Sequence, residues 1–386
     1  MTTTPSAPAK KKATFNTLTV SDVRALTKDS VEVSFAIPPE LQDDYDYIPG
    51  QYVALRATID GQAVRRSYSI CDVPRDGILR VAIKRDRGGV FSTWANDALK
   101  PGDTMDVMNP QGAFTSKTHL TGLNNPEAVR EELEKLENPH LVAIAAGSGI
   151  TPIMAIAQTV LHTSPDTTFE LIFANKGGGD VMFAEEIGDL KDKFPTRFAV
   201  HHVLSREQRV NPLFSGRIDA EKLQTLLDNV VRTDNVDEWF LCGPFELVQL
   251  VRDELASRDV GEKDIRYELF TTGKPSGNQN QAGRHVEVDP EGDNVSINFQ
   301  LDGLSGSVES PVSANESLLN AALRVRSDVP FACAGGVCGT CRAKLVEGEV
   351  DMAENYALEA DEVKAGYILT CQSRPTTPTI VLNFDA

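Results

Sequence analysis

Four cysteines stand out by their spacing. Cys333, Cys338 and Cys341 follow the pattern C-x4-C-x2-C, and Cys371 follows after 29 intervening residues. The chain has six cysteines, and these four fall in its last 54 residues. A disulfide framework belongs to short secreted chains, and this chain is long and opens without an apolar export segment. Metal ligation or redox chemistry is the better reading. Three thiolates on one short loop and a fourth arriving from elsewhere suit the two tetrahedral irons of a [2Fe–2S] cluster. The residues between them, Ala334-Gly335-Gly336-Val337 and Gly339-Thr340, are small enough for backbone N–H groups to approach the sulfurs. A zinc site is the alternative, although zinc ribbons usually carry two C-x2-C knuckles and only one is present here. Four buried free thiols is the other. Cys71 and Cys242 each end an apolar strand and read as core or site-lining residues.

Two further stretches could hold a phosphate and an aromatic ring. Arg66-Ser67-Tyr68-Ser69 offers a guanidinium, a phenol and hydroxyls at the end of an expected strand. Gly88-Gly89-Val90-Phe91-Ser92 follows, a glycine pair opening a helical stretch whose free N–H groups favour an anion. Each alone is weak, since a surface strand or a capped helix would look similar. Their order along the chain strengthens both. Gly147-Ser148-Gly149-Ile150-Thr151-Pro152 follows a buried apolar run and opens another helix, with Pro152 suited to the first turn. It departs from the G-x-G-x-x-G fingerprint of ordinary dehydrogenases. Ser205 and Arg206, after His202 at the end of an expected strand, could grip a 2′-phosphate, with Lys176 and Arg209 as weaker neighbours. A solvated turn is the plainer reading of that pair.

The elements that must position these residues divide the chain. Residues 1–13 read as a disordered tail. Residues 14–116 hold short strands with turn signals at Pro49-Gly50, Asp60-Gly61, Asp76-Gly77 and Pro101-Gly102, which suggests a small antiparallel β-barrel. Residues 117–137 are polar and acidic and read as a linker or insertion. From 138 to 271, buried apolar runs alternate with helical patterns, as in a doubly wound parallel α/β sheet. Residues 272–293 have almost no apolar content and read as a flexible tether. Residues 294–386 carry the four cysteines.

Composition narrows the function. With 56 acidic against 38 basic residues the net charge is −18, which disfavours a general nucleic-acid binder. No run of 18 apolar residues occurs, so no membrane span is expected and a cytoplasmic location is. From Asp293 onward there are 13 acidic and 6 basic residues, a net negative module that could dock on a basic partner surface.

Arg66-Ser67-Tyr68-Ser69 with Gly88-Gly89-Val90-Phe91-Ser92, Gly147 to Pro152 and Cys242-Gly243-Pro244 resemble the ferredoxin-NADP reductase superfamily. The cysteine loop resembles a plant-type ferredoxin, here in a β-grasp-like α+β domain at the C-terminus. The resemblance covers about residues 14–386. It implies FAD, a nicotinamide cofactor (NADPH rather than NADH) and a [2Fe–2S] cluster. It places Arg66, Ser67, Gly89, Val90, Phe91 and Ser92 at the FAD pyrophosphate. Tyr68, Ser69, Ile83 and Lys84 then line the flavin. Gly147, Ser148, Gly149, Thr151, Pro152, Cys242, Gly243 and Pro244 would hold the nicotinamide dinucleotide. Tyr68, Ser69, Thr151 and Cys242 would lie nearest the hydride-transfer site, with Glu268 or Phe270 covering the flavin. A hydride brings two electrons and the cluster passes them on singly. The implied acceptor is an oxygenase complex, a diiron phenylacetyl-CoA epoxidase first and a Rieske dioxygenase or other monooxygenase second. A reading of another class makes the C-terminal cysteines a zinc-binding interaction module. Two departures stand: the acidic insertion is long, and Asn175-Lys176 occupies the place of a more familiar Asn-Arg pair.

Overall fold

The computed structural model describes residues 14–75, 77–86, 88–112, 114–117, 130, 133–134, 138–231, 233, 235–270, 292–301, 303–326, 329, 331, 336, 339–355, 358 and 360–386. They form two separate units. One runs from Phe15 to Phe270, and the other is built on the described residues after 291.

The first unit opens with six strands: β1 (Phe15–Thr27), β2 (Ser30–Ala36), β3 (Tyr52–Ile59), β4 (Gln62–Ser69), β5 (Ile78–Lys84) and β6 (Thr104–Met108). Their order is β4-β3-β6-β1-β2-β5, and every pairing is antiparallel. An Ile70–Val81 bridge joins the continuation of β4 to β5, so the outer strands meet and the sheet closes. Closure removes exposed edges, and it buries Val33, Phe35, Leu55, Val81 and Val107 inside. Helix α1 (Val90–Asp97) follows β5.

Next comes a parallel sheet of β7 (His140–Ala146), β8 (Thr168–Asn175), β9 (Phe198–Leu204), β10 (Glu238–Gly243) and β11 (Ile265–Leu269). The order is β11-β10-β7-β8-β9. Helices α2 (Ile150–Thr163), α3 (Ala184–Lys193), α4 (Ala220–Asn229) and α5 (Phe245–Ser257) alternate with these strands. Two apolar clusters, one containing Ile153, Ile156 and Ile187 and the other Leu223, Leu226 and Val251, pack against strand residues. That explains the continuous apolar runs, since such strands are buried on both sides. The chain reverses its direction of travel between β7 and β10, which opens a crevice at their carboxyl ends.

The acidic insertion is not wholly a solvated linker. Leu133 is fully buried in the core shared with α2, and Arg130 pairs with Glu134 at 2.6 Å one helical turn away. Apart from Lys117, the rest of that stretch, and the expected tail and tether apart from residues 292 and 293, lie outside the described residues.

The second unit has a five-stranded mixed sheet, β13-β12-β18-β14-β16. Its strands are β12 (Asn294–Leu301), β13 (Leu304–Pro311), β14 (Arg342–Glu347), β16 (Tyr367–Leu369) and β18 (Thr379–Asn383). β12 and β18 run parallel, while the other pairings are antiparallel. Helix α6 (Leu318–Val325) begins at Ser317, whose side chain accepts from the Asn320 N–H, and buries Leu318, Leu319, Ala321 and Ala322. Short strands β15 (Val350–Met352) and β17 (Ser373–Pro375) pair separately.

Candidate functional site

The barrel brings its two sequence motifs together. Arg66, Ser67, Tyr68 and Ser69 close β4, while Val90, Phe91 and Ser92 form the first turn of α1 with Gly89 as its N-cap. The Tyr68 and Phe91 rings sit 5.7 Å apart. Gly88 takes φ +79°, a left-handed turn that glycine adopts without a Cβ clash, and so delivers the chain into the helix. Asp86 links the motifs. Burial pushes its carboxyl pKa up, and nearby Arg66 and Lys84 pull it back. Burial also lifts the Tyr68 phenol far above its ordinary range. That phenol stays neutral, as an aromatic surface for a ring should.

The Ser92 hydroxyl faces back into its own turn. It accepts the Asp86 N–H at 3.0 Å and reaches the Gly89 carbonyl at 3.4 Å, so it closes the turn. The first N–H groups of α1 have no partner within the helix, as at any helix start. Ile83 is buried, its carbonyl accepting from Asn96 at 3.2 Å, and Lys84 points toward Asp29 at 4.0 Å.

The parallel sheet contributes the other half. Gly147–Gly149 forms a single 3-10 turn after β7 and feeds α2, with Thr151 and Pro152 in its first turn. The Thr151 hydroxyl donates to the Ser148 carbonyl at 3.0 Å. Cys242 and Gly243 end β10, and Pro244 caps α5. The two turns touch: a Cβ on Gly149 would stand 2.2 Å from the Cys242 carbonyl oxygen. Cys242 is fully buried, and burial, with the Glu268 charge beside it, raises its thiol pKa well above the ordinary value. It is therefore a neutral thiol.

A buried contact between the halves lies here. The buried Ser69 hydroxyl donates to the buried Glu268 carboxylate at 3.2 Å, and Glu268 lies in register with Cys242 across β10 and β11. Ser69, Cys242 and Glu268 thus meet where the barrel faces the switch-point crevice. Phe270 leaves that strand with its N–H on the Gly243 carbonyl at 2.9 Å.

At the far end of the crevice, Ser205 and Arg206 follow β9, and their N–H groups bond the carbonyls of Asn175 and Lys176. Arg206, Arg209 and Lys176 are exposed. Sequence reasoning missed two features here. Both side-chain atoms of Asn175, which is 8% exposed, lack a hydrogen-bond partner, as does His202 Nδ1. Glu207 accepts the Gly178 N–H at 2.6 Å and closes the loop after β8. Orphaned buried polar atoms at the carboxyl end of a parallel sheet fit a polar nucleotide better than a finished core.

In the second unit, Cys341 and Cys371 are buried in one cluster. The Cys341 carbonyl accepts both the Thr370 N–H at 3.1 Å and its hydroxyl at 2.9 Å, tying the two cysteine segments together. Gly336 and Gly339, before Cys341 in the chain, take φ +78° and +66°. Cys333 and Cys338 lie outside the described residues. Among the described residues no three His, Cys, Asp or Glu side chains gather as a metal set. The two described cysteines, buried in one apolar cluster and tied through Thr370, fit the expected cluster.

Three family models match. An oxidoreductase FAD-binding domain covers residues 17–116, an oxidoreductase NAD-binding domain 143–253, and a 2Fe-2S iron-sulfur cluster binding domain 302–376. The chain is 40% identical to one of the subunits of 1,2-phenylacetyl-CoA epoxidase from Escherichia coli (strain K12), over 97% of this chain and 98% of the relative. It is 31% identical to the ferredoxin reductase component of 3-ketosteroid-9-alpha-monooxygenase from Rhodococcus rhodochrous, over 95% and 96%. Phthalate dioxygenase reductase shares the fold at TM-score 0.51 and 21% identity, covering 96% of this chain and 98% of that one. With flavin, nicotinamide and iron–sulfur domains in this order along its whole length, the chain belongs to the family of oxygenase reductase components that carry electrons through FAD and a [2Fe–2S] centre.

Proposed function

We propose that this chain takes electrons from NADPH and delivers them to a phenylacetyl-CoA epoxidase in the cytoplasm. Support for the acceptor comes from the Escherichia coli relative, a component of such an epoxidase, which aligns over nearly the full length of both chains. The single observation behind the site assignment is the Ser69–Glu268 contact beside Cys242, where the flavin half and the nicotinamide half meet. When bound, FAD would supply the change from two-electron to one-electron chemistry, and the cluster held by the C-terminal cysteines would supply one-electron transfer.

The chain's residues then have these roles. Arg66, Ser67 and the backbone N–H groups of Val90, Phe91 and Ser92 hold the FAD pyrophosphate, with Gly89 giving room. Tyr68 stacks on the flavin ring, and Ser69, Ile83 and Lys84 border it. Gly147, Ser148, Gly149, Thr151 and Pro152 seat the dinucleotide, against the turn of Cys242, Gly243 and Pro244. Glu268 orients Ser69, and Phe270 shields the site from water. Cys333, Cys338, Cys341 and Cys371 bind the cluster. The domain limits follow: 14–116 for FAD, 138–271 for the nucleotide, and 294–386 for the cluster, with 272–293 a tether.

Arg206 selects NADPH by its bidentate fork, with Ser205 beside it. Arg206→Ala is expected to raise the KM for NADPH about tenfold or more, the worth of a charge-assisted pair, and to leave that for NADH nearly unchanged. Steady-state kinetics with both nucleotides checks this, and equal effects would refute it.

Electrostatics steer the acidic C-terminal module to its partner. Turnover with the oxygenase should fall as salt rises from about 50 mM to 500 mM, while NADPH reduction of a small dye stays level. Affinity purification from native cells tests the acceptor. Recovery of an oxygenase that consumes NADPH only with phenylacetyl-CoA supports the reading, and recovery of a Rieske oxygenase overturns the acceptor alone.

A further inference from the structure

We propose that Glu238 is a positioning residue for hydride transfer. It locks the segment leaving the barrel onto the foot of β10, and this lock sets how Ser69 meets Glu268 at the other end. The inference rests on the reading of that crevice as the hydride-transfer site.

Four consecutive residues carry the lock. The Phe114 ring packs edge-on against Phe240 at 5.8 Å. The Thr115 carbonyl accepts from Arg266 Nε at 3.2 Å. The Ser116 hydroxyl donates to Glu238 Oε2 at 2.5 Å, and the Lys117 N–H donates to Oε1 at 2.8 Å. Arg266 Nε stands 3.0 Å from Oε1. The Lys117 ammonium donates to the Asp237 carbonyl at 2.6 Å and to Asp264 Oδ1 at 2.7 Å. Glu238 is 0% exposed, and every neighbour named on its oxygens is a donor, so the site suits an ionised carboxylate. Burial pushes its pKa up, while the Ser116 hydroxyl and the Lys117 N–H, then the Arg266 and Lys117 charges, draw it down.

A buried ion pair of this kind is weak evidence for stability, because desolvation offsets much of the attraction. Its directional bonds fix geometry instead. Glu238 opens β10, and Cys242 lies four residues on, about 13 Å away along the strand. Arg266 sits on β11 two residues before Glu268. The lock therefore grips the feet of the two strands whose other ends carry the site. The barrel's other ion pairs to this domain, Arg24–Glu186 and Lys28–Asp180, involve cations with 40% and 77% of the side chain exposed, and such pairs hold geometry weakly.

The test uses the full-length holoenzyme with Glu238→Gln and Lys117→Met. Stopped-flow bleaching of the flavin at saturating NADPH should slow about tenfold or more, since small misplacements of reacting groups cost large factors. The KM for NADPH and the FAD content should stay within about twofold of the parent on the same geometric argument. Cys71 and Cys242, both buried in the core that spans barrel and nucleotide domain, should alkylate faster, as mapped by mass spectrometry. Arg197→Met removes a cation that bonds the Leu161, Ser164 and Thr167 carbonyls, and serves as a control for lowered Tm alone. If Glu238→Gln does not fold, half-exposed Lys117 carries the test. Unchanged bleaching in folded, flavin-loaded variants overturns the proposal. So does slowing that Arg197→Met reproduces at equal Tm. A wild-type protein whose flavin no nicotinamide bleaches would overturn the functional reading instead, and thiol alkylation would still report on the lock.

Discussion

Cys371→Ser is expected to abolish electron delivery to the oxygenase while leaving the flavin half of the molecule at work. Cys371 and Cys341 are 8% and 1% exposed and share one apolar cluster, and both belong to the second unit. An alcohol does not ionise near neutral pH as a thiol does, so serine offers iron a far poorer ligand. Loss of one ligand of four releases the centre, and with it the only carrier expected on the C-terminal side. The first unit has its own cores, drawn entirely from residues before 271. The visible iron–sulfur absorption should therefore disappear. Oxygenase-coupled turnover should fall by about a hundredfold or more, at least the scale seen on disturbing a metal's ligand shell. NADPH reduction of a dye that accepts directly from flavin should stay within about twofold, because these units are separately built. A variant that keeps its iron–sulfur spectrum, or loses dye reduction in parallel, contradicts this account. Zinc recovered from the wild-type protein in place of iron would contradict it as well.

Gly149→Ala should be the most damaging single methyl group in the nucleotide domain. The added Cβ would lie 2.2 Å from the Cys242 oxygen, 2.5 Å from its carbonyl carbon and 2.9 Å from the Gly243 nitrogen. All three are backbone atoms at the end of a fully buried strand, so no side chain can rotate away. Relief requires the start of α2 to back away from β10, and that movement widens the crevice at the switch point. Overpacking of this kind costs about 1–3 kcal/mol or more. Thermal unfolding should shift down accordingly, and the KM for the nucleotide should rise by at least about tenfold as the turn leaves the pyrophosphate. Gly147→Ala separates the two sources of damage. Its Cβ would meet nothing within 4 Å, but its φ of +55° strains an alanine by about 1–2 kcal/mol. It should cost stability and raise the nucleotide KM by less than Gly149→Ala does. Equal KM effects from the two substitutions would show that the close approach to Cys242 does not matter.

Much of this molecule is legible without coordinates, because its chemistry sits on short local patterns. The cysteine spacing specifies a cluster loop since one turn of chain must supply three thiolates. Gly88-Gly89 and Gly147 to Gly149 announce helix starts since only glycine suits those turns. Continuous apolar runs such as Leu141 to Ala146 report a sheet buried on both sides. What the local pattern hides is longer in range. The sequence marks the turn at Ser92, and only the fold shows its hydroxyl accepting the Asp86 N–H. The stretch 117–137 reads as a polar linker or insertion, and only the fold shows that Leu133 reaches the core. Asn175 is one asparagine at a strand end until the fold buries it with no partner.

Motif spacing by itself pointed to a four-cysteine cluster and to phosphate-binding helix starts, turns and apolar runs marked the order of barrel, parallel sheet and cysteine module, and FAD and the nicotinamide entered through the resemblance those motifs carry. Each of those signals lies among residues a few positions apart. The tertiary structure decided how the halves are joined. Ser69 and Glu268 are separated by 199 positions, and Ser116 and Glu238 by 122. A glutamate opening an apolar strand carries no local signal of its partner. Only closure of the barrel and reversal of the sheet at β10 bring such residues within bonding distance, because hydrogen bonds act over a few ångströms regardless of sequence separation.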